Sequence, residues 1–100
     1  MNLSDIQAKG LAKLLTVPGL VPDKLTIHIS EVEPGGRSHP PHTHTGTEAF
    51  YVFEGQVTVE VDGELQPLGP NECMVIDPTR PHGIFNSGSR RARYMVIIVK

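Results

Sequence analysis

The stretch GRSHPPHTHTGTEAFYVFEG, residues 36–55, says most about how this chain folds and what it can bind. It opens at the Pro34-Gly35-Gly36 break and places three of the chain's five histidines within six residues. A strand puts residues i and i+2 on one face, roughly 6.5–7 Å apart. The imidazoles of His42 and His44 can therefore converge on one metal ion.

Glu48 follows this histidine pair after Thr45-Gly46-Thr47, where glycine permits a tight bend that returns the next strand alongside. Phe50 and Val52 at the alternate positions are apolar, so Glu48 is expected on an inward face. An unpaired carboxylate is costly there, and a cation is its natural partner. A histidine pair or a glutamate alone is usually a solvated surface feature, so the prediction depends on the combination.

His82 completes the candidate set, because an opposite strand of a closed barrel can bring a distant residue back to the same pocket. The predicted metal ligands are thus His42, His44, Glu48 and His82. Glu48 and His39 are also the candidate catalytic groups. A solvated turn histidine is the alternative for His39.

Outside this stretch, alternation of apolar and polar residues predicts strands from Lys24 onward, and Asp62-Gly63 predicts a two-residue hairpin. Pro67 favours an edge strand. Turns recur every 8–12 residues or so, the rhythm of an all-β sandwich or barrel. Residues 4–15 are predicted to form a short helix, with Ser4 as N-cap and an apolar stripe.

Composition restricts the class of protein. One hundred residues suit one domain, 1–100, with the barrel over about 24–99. A net charge of −2 argues against nucleic-acid binding, no apolar run is long enough to span a membrane, and a signal peptide is not expected. The single cysteine, Cys73, cannot form an internal disulfide, which suits a reducing cytoplasm. The side chain of Cys73 is expected to be buried and to pack in the core.

The motif spacing resembles that of the cupin superfamily. The first cupin motif reads here as Gly36, five residues, His42-Thr43-His44, three residues, Glu48, six residues and Gly55, with every fixed position matched. In the second motif His82 and Asn86 keep their separation. Asn71, Asp77 and Thr79 replace the usual glycine, proline and glycine, which affects the turn geometry more than the ligation.

The resemblance covers about residues 24–99 and implies a double-stranded β-helix, a jelly-roll β-barrel of six strands. It also implies one divalent metal ion on His42, His44, His82 and Glu48, most often manganese or iron, and sometimes zinc, nickel or copper. Many single-domain cupins are homodimers, so a homodimer is expected. Asn86 is expected to hydrogen-bond backbone groups or groups behind the metal ligands.

Other side chains carry weaker expectations. His28 alternates with Leu25 and Ile27 and is expected to be a structural histidine. Arg80 could reach an anionic substrate at the rim, and a plain surface arginine is the equal alternative. The apolar lining of the cavity is predicted from four side chains: Phe50, Val52, Phe85 and Met95.

Three functions remain open from the sequence. The first is a small metalloenzyme of dioxygenase, decarboxylase or isomerase type, acting on a small carboxylate, carbonyl or sugar-type substrate. The second is a non-catalytic protein that binds such a molecule through the metal. The third is a metal with a purely structural role, for which a closed four-coordinate site would be expected.

Overall fold

The computed structural model describes residues 7–9, 12–15, 24–37 and 40–100. Nine strands lie in this part of the chain: β1 (Gln7–Lys9), β2 (Ala12–Leu15), β3 (Leu25–Val32), β4 (Thr47–Glu54), β5 (Val57–Val61), β6 (Glu64–Leu68), β7 (Cys73–Ile76), β8 (His82–Asn86) and β9 (Ala92–Val99). The described residues contain no helix. They therefore include no helix that could span a membrane. The prediction of an all-β fold is confirmed.

The strands form two antiparallel sheets. The larger sheet has six strands in the order β1-β2-β3-β9-β4-β7, and the smaller has three in the order β6-β5-β8. In the larger sheet the central strand β9 pairs with both β3 and β4, so residues from distant parts of the sequence share rows across the sheet. This arrangement is consistent with the predicted cupin β-barrel.

The hydrophobic core fills one end of the space between the sheets. Val52, Val57, Val59, Ala92 and Tyr94 are fully buried there. Along β9 the inward-facing side chains change from buried at Tyr94 to half-buried two and four residues further on. The barrel is therefore packed at one end and open at the other.

The N-terminal helix predicted for residues 4–15 is wrong for the described part of that segment. Residues 7–9 and 12–15 are extended, and β2 pairs with β3 in a register that opposes Leu15 to Ile27. Residues 4–6, 10 and 11 lie outside the described residues. Without β2, the strand β3 would expose unpaired backbone groups at the edge of the sheet, and pairing with β2 satisfies them. Gly10 also lowers the stability of the alternative helix.

A turn prediction and an edge-strand prediction are confirmed in the smaller sheet. Asp62 and Gly63 both have positive φ, at 52° and 80°, and join β5 to β6 with Val61 paired to Glu64. This is the geometry that a two-residue hairpin needs to match the twist of its strands. Pro67 lies in β6, the edge strand of the small sheet, where a missing N–H costs least.

Candidate metal centre

Four predicted residues meet at the open end of the barrel. Glu48 begins the buried face of β4, and His82 begins β8 in the opposite sheet. His42 forms an isolated bridge with His82: each backbone N–H donates to the other residue's carbonyl at 3.0 Å. His44 is held by its N–H, which donates to the carbonyl of Pro78 at 2.9 Å.

The side chains of these residues converge. One potential ligand atom from each of His42, His44, Glu48 and His82 lies within 4.8 Å of all the others. The three imidazole rings form a triangle with centroids 4.7–5.1 Å apart, each pair nearly edge to face. Glu48 and His82 are buried, His44 is half-buried and His42 is exposed. Solvent can therefore reach the cluster from the side of His42.

Backbone carbonyls orient two of the imidazoles. Nδ1 of His82 donates to the carbonyl of Arg80 at 2.9 Å, and Nδ1 of His44 donates to that of Thr45 at 3.0 Å. A carbonyl oxygen only accepts, so the proton of each neutral ring is on Nδ1. Nε2 of each ring then presents a lone pair to the centre, the form in which histidine binds metals.

The central atoms are close without being hydrogen-bonded. Nε2 of His82 lies 2.9 Å from Oε2 of Glu48, and Nε2 of His44 lies 3.4 Å from Oε1. Nevertheless both Nε2 atoms and Oε2 are buried with no hydrogen-bond partner among the described residues. Lone pairs facing each other at this distance repel unless a cation lies between them. The donor set therefore fits a divalent metal ion.

The loop that carries the second motif compensates for its missing glycines and proline. Asn71 takes the left-handed conformation, with φ of 65°, which asparagine tolerates better than most residues. Oδ1 of Asp77 accepts hydrogen bonds from the N–H and the hydroxyl of Thr79, at 3.0 and 2.7 Å. These bonds hold the pKa of the Asp77 carboxyl below its usual range. The turn therefore still presents Pro78 to His44.

The remaining site predictions have mixed outcomes. His39 lies outside the described residues, so its catalytic role stays a prediction. Arg80 is exposed and pairs with Asp62 at 3.1 Å, which fits a surface arginine. Asn86 bonds backbone groups, as expected: it donates to the carbonyls of Val32 and Arg90 at 2.8 and 2.7 Å.

Two lining predictions and one packing prediction are wrong. Phe50 and Val52 are buried inward-facing residues, but Phe85 lies beneath the guanidinium of Arg37, on the other side of the small sheet from the cluster. Met95 faces away from the cavity because it alternates with the inward Tyr94. Cys73 is exposed on β7, not buried.

Sequence reasoning missed the carbonyls of Thr45 and Arg80, which orient the imidazoles. Backbone groups have no side-chain signature, so no pattern in the sequence could have identified them. The sequence analysis also did not place the half-buried Thr26 and His28 on the same face of the sheet as Glu48. Only the strand register reveals this relation.

Comparison with known proteins agrees with this geometry. The sequence profile of the Cupin domain family matches residues 28–98. A germin-like protein, subfamily T member 3, from Arabidopsis thaliana is 33% identical over 93 residues. That match covers 87% of this chain but only 40% of the relative, so the chain spans about two-fifths of that protein's length.

The solved structures that are similar to this chain include the following two. The cupin domain of an XRE family transcriptional regulator from Enterobacter cloacae is 27% identical, with a TM-score of 0.76 over 89% of this chain and 94% of that one. A putative sugar phosphate isomerase from Acidithiobacillus ferrooxidans is 28% identical, with a TM-score of 0.66 over 77% of this chain and 51% of that one.

Proposed function

Since this chain belongs to the cupin domain family, we propose that it binds one divalent transition-metal ion, manganese or iron foremost, through His42, His44, Glu48 and His82. The observation that carries this proposal is the convergence of four ligand atoms within 4.8 Å of one another. The orientation of His44 and His82 by backbone carbonyls supports it.

The charge of this site favours an anionic ligand. Three neutral imidazoles and one carboxylate leave a divalent ion with a net charge of +1, which a small carboxylate neutralises. Four protein ligands leave up to two positions of an octahedral ion for a ligand or water. A bound ion would polarise a ligand carbonyl or carboxylate, or bind dioxygen. The exposed side of His42 gives such a ligand its entry.

We propose a small metalloenzyme of dioxygenase, decarboxylase or isomerase type, acting on a small carboxylate, carbonyl or sugar-type substrate. The similarity to a putative sugar phosphate isomerase supports this class. Glu48 is the candidate group for proton transfer at the metal, with His39 as the second candidate. We expect only a small substrate, because the buried Tyr94 closes the cavity below the half-buried Val96 and Ile98.

The second candidate is a non-catalytic, metal-bridged binding protein. It is supported by the cupin domain of a transcriptional regulator, which matches this chain over nearly the whole length of both. The same residues would hold the ligand in either case. Turnover of a small acid by the metal-loaded protein separates the two candidates.

A homodimer remains part of the proposal. The face of the six-stranded sheet that points away from the cavity exposes apolar side chains, among them Leu25, Phe53, Val75 and Val99. Exposed apolar area of this kind often marks a protein–protein interface.

A cytoplasmic location also stays a proposal.

His44→Ala tests the ligand assignment. We expect the variant to remain folded by circular dichroism and to lose most of its bound metal, because one of four ligands is gone. Thr43→Ala, an exposed neighbour between two proposed ligands, is the matched control and should retain metal. Equal metal content in both variants, measured by elemental analysis, would contradict the proposal.

A further inference from the structure

The strand register places a second polar group in the same cavity as the proposed metal centre. Ile98 of β9 pairs with Glu48 on one side and with Thr26 on the other. Glu48 and Thr26 therefore lie in one row across the sheet and point to the same face. Two strand spacings separate their Cα atoms, a distance of about 10 Å.

His28 lies in the neighbouring row of this inward face. Val96 pairs with Phe50 on one side and with His28 on the other, so the His28 side chain has the same orientation as Phe50. Phe50 is 2% exposed and belongs to the core. The register thus sets the imidazole of His28 on the cavity wall, across from the metal cluster.

Burial along β3 shows that His28 lies where the barrel opens. Val32 and Ser30, on the same face, are only 2% and 3% exposed, whereas His28 and Thr26 are half-buried. The inward residues of β9 show the same change, from the fully buried Tyr94 to the half-buried Val96. Solvent, and hence a ligand, reaches both strands at the level of the cluster.

The floor between the two polar groups is apolar. Val96 and Ile98 separate His28 and Thr26 from Glu48 in the sheet. A ligand that spans this floor needs an apolar middle, a metal-binding group at one end and a hydrogen-bonding group at the other. After the reach of the side chains is subtracted, strand spacing leaves room for a spacer of roughly two to four atoms.

Positive charges near the opening of the cavity favour a carboxylate at the hydrogen-bonding end of the ligand as well. Lys24 precedes β3 and Lys100 follows β9, and their backbones are joined by the bond from the Lys100 N–H to the Lys24 carbonyl at 2.9 Å. Both lysines are exposed and lie at the end of the sheet that carries Thr26. They raise the local concentration of anions at the opening.

From this placement we propose that His28, assisted by Thr26, binds the distal carboxylate of a short-chain dicarboxylic acid whose other carboxylate occupies the metal. The inference rests on the proposed metal site, and it specifies the ligand class for that site. His28 is thus a specificity-determining residue and not only a structural histidine. Its role is to distinguish dicarboxylates from monocarboxylates.

The test uses the cobalt(II)-loaded protein, whose visible spectrum reports ligands that reach the metal. Succinate, glutarate and adipate, which have two to four methylenes between their carboxyl groups, are titrated against butyrate, valerate and hexanoate, which have the same numbers of carbons. We expect the best dicarboxylate to bind at least tenfold more tightly than its monocarboxylate partner. In His28→Leu this ratio should fall below about three, while monocarboxylate binding and metal content stay within twofold of the parent protein.

Two further variants guard against a purely structural effect. Ile27→Val, on the opposite face of β3, should keep the full ratio, and His28→Gln should restore part of it because the amide still donates a hydrogen bond. If carboxylates perturb the metal but His28→Leu keeps the parent ratio, the inference about His28 is wrong and the metal site stands. If neither class of acid changes the spectrum of the parent protein, the proposed open metal site itself fails.

Discussion

At the scale of single residues, the candidate centre was largely predictable. His42, His44 and Glu48 are close in the sequence, so strand periodicity and one bend suffice to bring them together. His82 could be included only because a barrel closes, and the structure does bring it to the same cluster. The proton positions were not predictable, because the carbonyls of Thr45 and Arg80 set them.

Gly46 provides a residue-scale prediction. It has φ of 105°, and a Cβ there would overlap the carbonyl oxygen of Val99. We expect Gly46→Ala to lower the free energy of unfolding by about 3 kcal/mol or more, since backbone strain and overlap both contribute. It should also lower metal content, because the residue lies between His44 and Glu48.

Gly35→Ala is the matched control for this prediction. Gly35 also has positive φ, 78°, but a Cβ there would meet no atom within 4 Å. In Gly35→Ala, backbone strain alone should lower the free energy of unfolding by about 1 kcal/mol. The metal content of this variant should not change. Equal losses of stability for the two variants in urea denaturation would show that the close approach to Val99 is unimportant.

At the scale of elements, sequence patterns identified the strands of the barrel better than they identified the N-terminal segment. Alternation identified β3 as a strand, and its register with β9 is continuous over the whole strand. In residues 4–15 the apolar spacing favoured a helix, and pairing of β2 with β3 outweighed it. A short segment has weak intrinsic preference, so an available sheet edge decides its conformation.

Asn86 provides the prediction at this scale, because it connects three elements. Its amide links the end of β3 to the loop before β9, and its Oδ1 accepts a bond from the N–H of Gly88 at 2.9 Å. Asn86→Ala leaves these buried groups without partners, so we expect a loss of about 2–4 kcal/mol in unfolding free energy. Chemical denaturation measures this loss.

Gln66→Ala is the corresponding control for an amide side chain. Gln66 is exposed and, among the described residues, makes a local bond from Nε2 to the carbonyl of Pro67 at 3.1 Å. Its removal should change stability by less than about 0.5 kcal/mol. A similar small change for Asn86→Ala would mean that the bonds of Asn86 are replaced by water in the variant.

At the scale of the whole molecule, the two faces of the six-stranded sheet have different tasks. The inward face packs on the core and supplies Glu48 to the cluster, and the outward face exposes Val75 at 67% and Val99 at 49%. Tyr51 and Phe53 are on the same outward side, with ring centroids 5.3 Å apart. Sequence alternation predicted which residues share a face, but it could not determine what covers the outer one.

Val75→Glu tests the proposed homodimer. A charge within an apolar interface is costly to desolvate, so we expect the variant to sediment as a monomer under conditions in which the parent protein sediments as a dimer. Leu65→Glu, which is also exposed but lies on β6 of the smaller sheet, is the control and should leave the dimer intact. A parent protein that is monomeric at all concentrations would contradict the proposal.

The reciprocal backbone bonds between His42 and His82 have a consequence for the order of folding. Contacts between residues far apart in the sequence form late, because closing a long loop costs entropy before any contact compensates for it. The complete set of donor atoms therefore does not exist until the barrel has closed. A nascent chain offers only the local pair and Glu48, so the proposed metal ion would load after folding, and the finished barrel would determine which ion is kept.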